Sequence, residues 1–249
     1  MTLDDAISAI EGVQGWLSAD QAARLFAAAA AVPAGGTIIE IGSFRGRSTI
    51  VLALAALPGV SVVAIDPHAG SDRGPQEIAA DAARGEDDAR AFAANLSAAG
   101  VTDRVFHLRL ASADALAQID RRIDLLYIDG AHRLAPALSD ISRYGALVSP
   151  GGTMLIHDSF SSIGVTLAIL ARLLGSASFA YRGRSRSLAE YRRAPAGALA
   201  PRTRAASAAA QLAQLPWFAR NVAVKLALVA DRPRLARALG HPAGDPWPY

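Results

Sequence analysis

The chain has 249 residues, of which 52% are apolar, and its formal net charge is +3. It contains no cysteine, which excludes disulfide bonds, thiolate nucleophiles and cysteine zinc sites. Residues 1–5 are acidic, unlike the start of a secretory signal, and the apolar run 25–32 is shorter than the ~20 residues of a membrane span. We predict a cytoplasmic domain of ordinary size with an appendage, in a composition typical of GC-rich bacterial genomes.

The charge is unevenly distributed along the chain. Residues 181–249 contain 12 Lys and Arg against 3 Asp and Glu, a net charge of +9. Residues 1–180 contain 13 against 19, a net charge of −6. A basic tail of this kind indicates either an anionic partner, such as a membrane surface, or arginine side chains solvated on exposed helices.

The predicted elements alternate between helices and short apolar strands. Two helices come first, at 3–16 and 19–31, and Ser18 caps the second. Apolar runs bounded by Gly, Pro and Asp then predict five strands, each followed by a helix, with a polar loop at 69–85. The strands are predicted at 37–41, 60–65, 105–110, 123–128 and 153–156, and their helices at 48–57, 87–98, 114–119, 135–147 and 163–174.

This alternation predicts an α/β fold, a mostly parallel, doubly wound sheet with helices on both faces. After the fifth strand, 178–182 and 187–193 flank a tight turn and predict an antiparallel hairpin at the sheet edge. A Pro/Ala linker at 194–203 precedes two helices, at 205–215 and 217–231. We predict a domain over 1–194, whose N-terminal helices occupy 1–32, and a basic helical extension over 195–249.

The predicted strands carry polar residues where they end. In parallel sheets a ligand binds beyond the carboxyl ends of the strands. Here those ends carry Glu40, Gly42, Asp66, Ser112, Asp129, His157 and Asp158. We therefore predict the functional site at this edge of the sheet.

The first strand leads into a glycine loop with Gly42 and Gly46 but without the middle glycine of a dinucleotide-binding fingerprint. Such a turn permits close approach to a nucleotide or amino-acid ligand, or is simply a tight strand–helix connection. Asp66, ~20 residues further on, can accept both hydroxyls of a ribose or can cap a turn. Ser112 can contact a base or cap the next helix.

Five motifs in this order resemble the class I S-adenosylmethionine-dependent methyltransferases, in particular the metal-dependent O-methyltransferases of sugars and small molecules. The resemblance covers about residues 33 to 193 and implies the Rossmann-like class I methyltransferase fold. The motifs are the glycine loop 40–49, Leu126-Tyr-Ile-Asp-Gly-Ala-His132, Ser149-Pro-Gly-Gly152, Leu155-Ile-His-Asp158 and Ser187-Leu-Ala-Glu-Tyr-Arg192.

The resemblance implies a role for each candidate residue. The methionine part of S-adenosylmethionine would be held by Glu40, Gly42, Ser43 and Gly46, and Ser48 would also bind the cofactor. Asp66 would bind the ribose, and Ser112 and Asp129 would also line the cofactor site. Asp129 and Asp158 would bind a divalent metal such as Mg²⁺, and His132 would act as the general base beside Asp129.

The sequence departs from this family at His157, where relatives with an established metal site have an acid. A neutral histidine is a poor Mg²⁺ ligand, so Asp129, His157 and Asp158 either bind another divalent metal or bind none. The alternative roles are cofactor contact or helix capping for the two aspartates. For His132 the alternative is a surface position at a helix start.

The predicted function is O-methylation of a hydroxyl on a sugar, glycolipid or other natural product. The alternatives are a metal-dependent hydroxylase or NAD-linked oxidoreductase on the same scaffold, or a non-catalytic binding protein of this fold. The apolar residues of helix 217–231 predict packing on the domain, a homodimer contact or peripheral membrane contact. We expect no nucleic-acid partner, because no basic stripe with interleaved aromatics occurs in the catalytic half.

Overall fold

The computed structural model describes residues 1–71 and 79–241. Within these residues the strands are β1 (Thr37–Ile41), β2 (Ser61–Ile65), β3 (Val105–Leu108), β4 (Ile123–Ile128), β5 (Val148–Ile156), β6 (Phe179–Ser185) and β7 (Leu188–Arg193). The helices are α1 (Leu3–Ala9), α2 (Ala19–Ala30), α3 (Arg47–Ala55), α4 (Ala82–Ala98), α5 (Ser112–Ala115), α6 (Leu134–Arg143), α7 (Ile163–Arg172), α8 (Pro201–Leu212), α9 (Leu215–Val229) and α10 (Pro233–Ala238).

The strands form one sheet in the order β3-β2-β1-β4-β5-β7-β6. The pairs among β1 to β5 are parallel. The pairs β5–β7 and β6–β7 are antiparallel. The predicted doubly wound sheet with a C-terminal antiparallel hairpin is therefore confirmed.

Two apolar clusters cover the two faces of the sheet. Successive strand residues point to opposite faces, so Ile38 packs with α1, α2 and α3, whereas its neighbour Ile39 packs with α6 and α7. Leu125 and Leu126 divide in the same way between the two clusters. Burial on both faces explains why these strands are continuous apolar runs.

Several helices have boundaries that differ from the prediction: α5 spans Ser112–Ala115 instead of 114–119, and α8 begins at Pro201, inside the predicted linker 194–203. Two of the differences, in α1 and α4, have a clear physical cause. Helix α1 ends at Ala9 instead of 16, because Gly12 and Gly15 adopt φ angles of +78° and +155°, which a helix cannot contain. Helix α4 begins at Ala82 instead of 87, because the Asp81 side chain accepts a hydrogen bond from the Arg84 N–H at 3.1 Å and caps the helix. The predicted polar loop thus ends earlier, and its residues 72–78 lie outside the described residues.

The predicted turn at 149–152 is part of β5, which begins at Val148 rather than at 153. The pairing with β4 shifts from Ile123–Val148 to Leu125–Thr153, and Gly151 has φ +76°. The additional residues form a bulge, so the strand continues through a segment whose sequence is typical of a turn.

The tail packs on the edge of the domain. From α8, Ser207 Oγ accepts a hydrogen bond from the Tyr181 N–H at 2.9 Å, and from α9, Asn221 Nδ2 donates to the Phe160 carbonyl at 3.2 Å. The Arg184 guanidinium lies 3.7 Å from the centre of the Trp217 ring. Packing on the domain is thus observed, whereas the homodimer, the membrane contact and the domain boundary at 194 stay predictions. No helix in the described ranges combines the length and apolar character needed to cross a membrane.

Candidate active site

The loops that follow the parallel strands meet at one edge of the sheet. The Gly42 N–H donates to the Ile65 carbonyl, and the Asp129 N–H donates to the Ile41 carbonyl, each at 2.8 Å. These bonds extend the parallel ladder beyond β1 and β4 and hold the loops side by side. A cavity of about 410 Å³ opens at this edge.

The cavity brings together five of the residues predicted from the sequence: Gly42, Asp66, Ser112, Asp129 and His132. The other predicted residues do not line it: Glu40, Ser43, Gly46, Ser48, His157 and Asp158. His157 and Asp158 are nevertheless in contact with the cavity wall through Asp129 and His132. The candidate site therefore has residues facing the cavity and a buried group behind them.

Glu40 is completely buried between β1 and α3. Its two carboxylate oxygens accept hydrogen bonds from the hydroxyls of Ser48 and Thr49. Burial raises the pKa of Glu40 to about 8, helped by the negative charges of Asp129 and Asp66 and opposed by the two hydroxyls. Glu40 and Ser48 are thus hydrogen-bonded to each other beneath the glycine loop.

We expect Glu40→Gln to make the free energy of unfolding less dependent on pH. The pKa of Glu40 in the folded protein is about 8, above the ordinary 4.5, so its stabilising contribution is present below pH 4.5 and is lost as the pH rises towards 8. Relative to the variant, the wild type should lose up to about 1.4 kcal/mol per pH unit in this range. Urea unfolding of both proteins between pH 5 and 8 measures this difference, and parallel pH profiles would contradict the assignment.

Gly42 and Gly46 stand at positions where a larger residue would clash with its neighbours. Both have φ +88°, a left-handed conformation that disfavours side chains. A Cβ on Gly42 would lie 2.1 Å from the Asp129 carbonyl oxygen, and one on Gly46 would lie 2.7 Å from Leu96 Cδ1. Gly42 allows the β1 and β4 loops to touch, and Gly46 allows α4 to pack against the start of α3.

We expect Gly46→Ala to destabilise the protein by about 1–2 kcal/mol more than Gly12→Ala does. Gly12 is a matched control, because its φ is +78° but a Cβ there would meet nothing within 4 Å. The difference therefore isolates the contact with Leu96 from the backbone strain. Urea unfolding of the two variants measures it, and equal losses would show that Leu96 moves aside freely.

Asp66 links two of the loops that border the cavity. Its Oδ2 accepts a hydrogen bond from the Phe44 N–H and its Oδ1 from the His68 N–H, each at 2.8 Å. Each carboxylate oxygen can accept a second hydrogen bond. Asp66 can therefore hold the loops and accept donors from a ligand at the same time.

Sequence reasoning missed the aromatic side of the cavity. The rings of Trp16 and Phe44 stack with centres 5.5 Å apart, and both line the cavity. His68 also lines it, and its Nε2 lies 3.2 Å from His107 Nε2. The sequence pattern predicts Trp16 at the end of the first helix. Its position beside the cavity follows only if Gly12 and Gly15 are recognised as ending that helix earlier.

Ser112 is the first residue of α5, and its hydroxyl points to a residue that the sequence did not single out. Its Oγ donates to Asp140 Oδ1 at 2.7 Å, and the Tyr144 hydroxyl donates to the Ser112 carbonyl at 2.6 Å. Asp140 and Ser112 both line the cavity. The Ser112 hydroxyl therefore already donates its hydrogen bond to a residue of the protein.

Two histidines and two aspartates form one connected group at the tips of β4 and β5. His132 Nε2 lies 2.8 Å from Asp158 Oδ2 and 3.8 Å from Asp129 Oδ1. His157 Nδ1 lies 3.2 Å from Asp129 Oδ1 and 3.6 Å from Asp158 Oδ2. Tyr127 also donates its hydroxyl proton to Asp129 Oδ2 at 2.8 Å.

The charges in this group stabilise one another. Burial alone would lower the pKa of His132, but the carboxylates of Asp158 and Asp129 outweigh it and raise that pKa to about 10. The same carboxylates raise the pKa of His157. Burial would raise the pKa values of Asp129 and Asp158, but the two imidazoles lower both. The carboxylates and the imidazoles of this group therefore favour one another's charged forms.

The donor set of this group suits a divalent cation. Donor atoms of Asp129, His132 and Asp158 lie within 4.8 Å of one another. The histidine in this group is His132, whereas the prediction named His157. One imidazole nitrogen with two carboxylate oxygens fits a transition metal better than Mg²⁺, which prefers oxygen and water. The predicted metal set of Asp129, His157 and Asp158 stays a prediction.

Comparison with known proteins gives a consistent result. The chain is 22% identical to cofactor-bound Rv0187 from MTB, over 78% of this chain and 89% of that one, with a TM-score of 0.53. It is 20% identical to an O-methyltransferase from Bacillus cereus in complex with SAH, over 76% and 87%, with a TM-score of 0.51. It is 21% identical to the O-methyltransferase TomG from Streptomyces achromogenes in complex with SAM, over 76% of this chain and 86% of that one, with a TM-score of 0.50.

At these identities the solved structures show the shared fold alone. The family model described as a methyltransferase domain matches residues 39–159, from β1 to the tip of β5. The match includes all the residues that were predicted for the site. Residues 39–159 therefore match a methyltransferase domain, and the chain has the class I methyltransferase fold, as the motif series predicted.

Proposed function

We propose that the protein is an S-adenosylmethionine-dependent O-methyltransferase that acts on a hydroxyl of a small molecule such as a sugar, a glycolipid or another natural product. The observation that carries the proposal is the cavity of about 410 Å³ that contains both Asp66 and the polar group around His132. A site for an adenosyl group and a site for proton transfer thus share one space at the strand tips.

Each part of the cavity suits a part of the cofactor. Asp66 has accepting capacity for the two ribose hydroxyls, and the stacked rings of Trp16 and Phe44 form an apolar wall. Gly42 lets the loop after β1 touch the backbone of Asp129, so that Asp66 and Asp129 line the same cavity. Glu40 and Ser48 would act behind this surface by supporting the loop instead of contacting the cofactor.

Methyl transfer to a hydroxyl requires a base, since the O–C bond forms as the C–S bond breaks and the hydroxyl proton must leave. His132 faces the cavity and is held at 2.8 Å by Asp158. With its pKa at about 10 it already carries a proton, so it can accept one only when another positive charge balances Asp129 and Asp158. A divalent cation held by these two carboxylates alone, with His132 left out of its coordination, would supply that charge and would lower the pKa of an acceptor hydroxyl.

The experiment uses methyl-tritiated S-adenosylmethionine with a panel of sugars, phenols and lipid-linked sugars, each matched by its amino analogue. We expect label on hydroxyl acceptors only, and a loss of about 10²–10⁴ in rate for His132→Gln. Label on the amino analogues would contradict O-specificity. Tight NAD binding or substrate oxidation by the iron-loaded protein would favour the alternative enzymes, and cofactor binding without any transfer would favour a non-catalytic protein.

A further inference from the structure

One side of α9 is apolar and exposed. The buried side of the helix carries Asn221, Val224 and Ala227. On the opposite side, apolar residues recur at intervals of three or four and define the outer face of α9, which consists of Ala219, Val222, Leu226 and Val229. Leu226 and Val229 are 65% and 68% exposed, and among the described residues none of the four belongs to an apolar cluster of the domain. The outer face is therefore apolar where a surface helix ordinarily presents polar side chains.

Hydrogen bonds fix the orientation of α9 and keep charge away from its outer face. Asn221 Nδ2 donates to the Phe160 carbonyl at 3.2 Å and holds the helix on the domain. The helix contains no acid, and Arg220 is one of its two cations. The Arg220 guanidinium donates to the carbonyls of Leu239 and Gly240 at 2.8 and 2.6 Å, so it is directed to the end of α10. A surface that contacts the outer face would therefore orient the whole domain.

Cations border the outer face. Lys225, the second cation of α9, directly precedes Leu226 in the helix. Arg232 stands at the start of α10 and Arg234 lies in its first turn, and both are exposed. Residues 201–241 contain 7 Lys and Arg against 1 Asp and Glu, a net charge of +6. This part of the tail thus combines an exposed apolar face with a positive border.

The charge favours a lipid surface over a second copy of the chain. Two copies related by a two-fold axis at the outer face would bring the same surface against itself, so like charges would meet. The surface of an anionic bilayer attracts Lys and Arg side chains, and it takes up apolar side chains at the level of the headgroups. An anionic bilayer therefore fits both the apolar face and its positive border.

We propose that α9 docks the protein on the surface of an anionic lipid bilayer. Leu226 and Val229 insert at the level of the headgroups, while Lys225, Arg232 and Arg234 contact the negative charges of the lipids. The helix lies along the surface and does not cross the bilayer. This inference goes beyond the proposed methyl transfer and does not depend on it, because binding to vesicles needs neither cofactor nor acceptor.

The test is sedimentation of the full chain with sucrose-loaded vesicles, either of phosphatidylcholine alone or of an equal mixture with phosphatidylserine. We expect at least ~10-fold tighter binding to the mixed vesicles, and a weakening of this binding as the salt concentration rises, because salt screens surface charges. Leu226→Gln should lower the affinity about 5-fold or more, because it removes buried apolar area. Arg232→Gln combined with Arg234→Gln should lower it about 10-fold or more.

Matched controls carry the same changes elsewhere on the surface. Leu57→Gln replaces an apolar side chain that is 45% exposed just after α3. Arg90→Gln combined with Arg121→Gln removes two exposed cations from the part of the chain before the tail. Both controls should keep the wild-type affinity for the mixed vesicles within about 2-fold. Circular dichroism verifies that each variant is folded.

Three results would overturn the proposal. One is a wild type that does not sediment with the mixed vesicles. Another is binding that both Leu226→Gln and the arginine pair leave unchanged. The third comes from analytical ultracentrifugation without lipid, where a wild-type dimer that Leu226→Gln dissociates would assign the outer face to a second copy of the chain. We expect wild type and variant to sediment as the same species.

Discussion

Asp66→Ala is expected to lower the affinity for S-adenosylhomocysteine about 100-fold or more. The carboxylate would accept both ribose hydroxyls, and each hydrogen bond to a charged group contributes about 1.5–3 kcal/mol. It also accepts the N–H groups of Phe44 and His68, so its loss releases two loops of the cavity. Calorimetric titration of the variant and the wild type under the same conditions measures the change.

Two further variants distinguish the effect of losing a negative charge from the effect of losing the hydrogen bonds of Asp66. Asp114→Ala removes an exposed acid on α5 and should leave the affinity unchanged within about 2-fold. Asp66→Asn keeps one accepting oxygen and should show an intermediate loss. An Asp66→Ala protein that is folded and binds S-adenosylhomocysteine like the wild type would exclude Asp66 as the ribose ligand.

Asp158→Asn is expected to reduce the free energy of unfolding by about 3–5 kcal/mol at pH 7, because breaking a buried ion pair leaves an uncompensated charge. The side chain of Asp158 is 3% exposed and lies between the imidazole rings of His132 and His157. The φ of this residue is +55°, which asparagine tolerates, so the substitution removes the charge without adding backbone strain.

Ser161→Ala is the control for this variant. Ser161 Oγ donates to Asp158 Oδ1 at 3.2 Å, so its loss tests the hydrogen bond without changing the charge. We expect it to cost no more than about 1 kcal/mol in urea unfolding. If Asp158→Asn and Ser161→Ala cost the same, the negative charge of Asp158 does not stabilise the fold.

The sheet was predictable because its sequence pattern is local. Thr37–Ile41 and Ile123–Ile128 are strands over the residues predicted, since each is a continuous apolar run that ends where the chain must turn. The errors occurred where one residue decides a boundary. Asp81 caps α4 earlier than the polar composition suggested, and Gly151 is accommodated in a bulge of β5 instead of ending it.

The site was predictable only in part. Residues at the strand tips, such as Asp66 and Asp129, reach the cavity because parallel strands end at the same edge. Asp140 could not be identified from the sequence, because its position depends on how α6 packs beside Ser112. The contact of Glu40 with the cofactor stays a prediction, and the sequence does not reveal that hydroxyls at the start of α3 bind its carboxylate beneath the loop.

The central claim is that the cavity at the strand tips binds S-adenosylmethionine. Calorimetric titration of the wild-type protein with S-adenosylhomocysteine, with and without Mg²⁺ or Mn²⁺, tests it most directly. We expect saturable one-to-one binding at micromolar concentrations in both conditions, because Asp66 and the aromatic wall lie outside the group of Asp129, His132 and Asp158. Absence of saturable binding in every condition would contradict it.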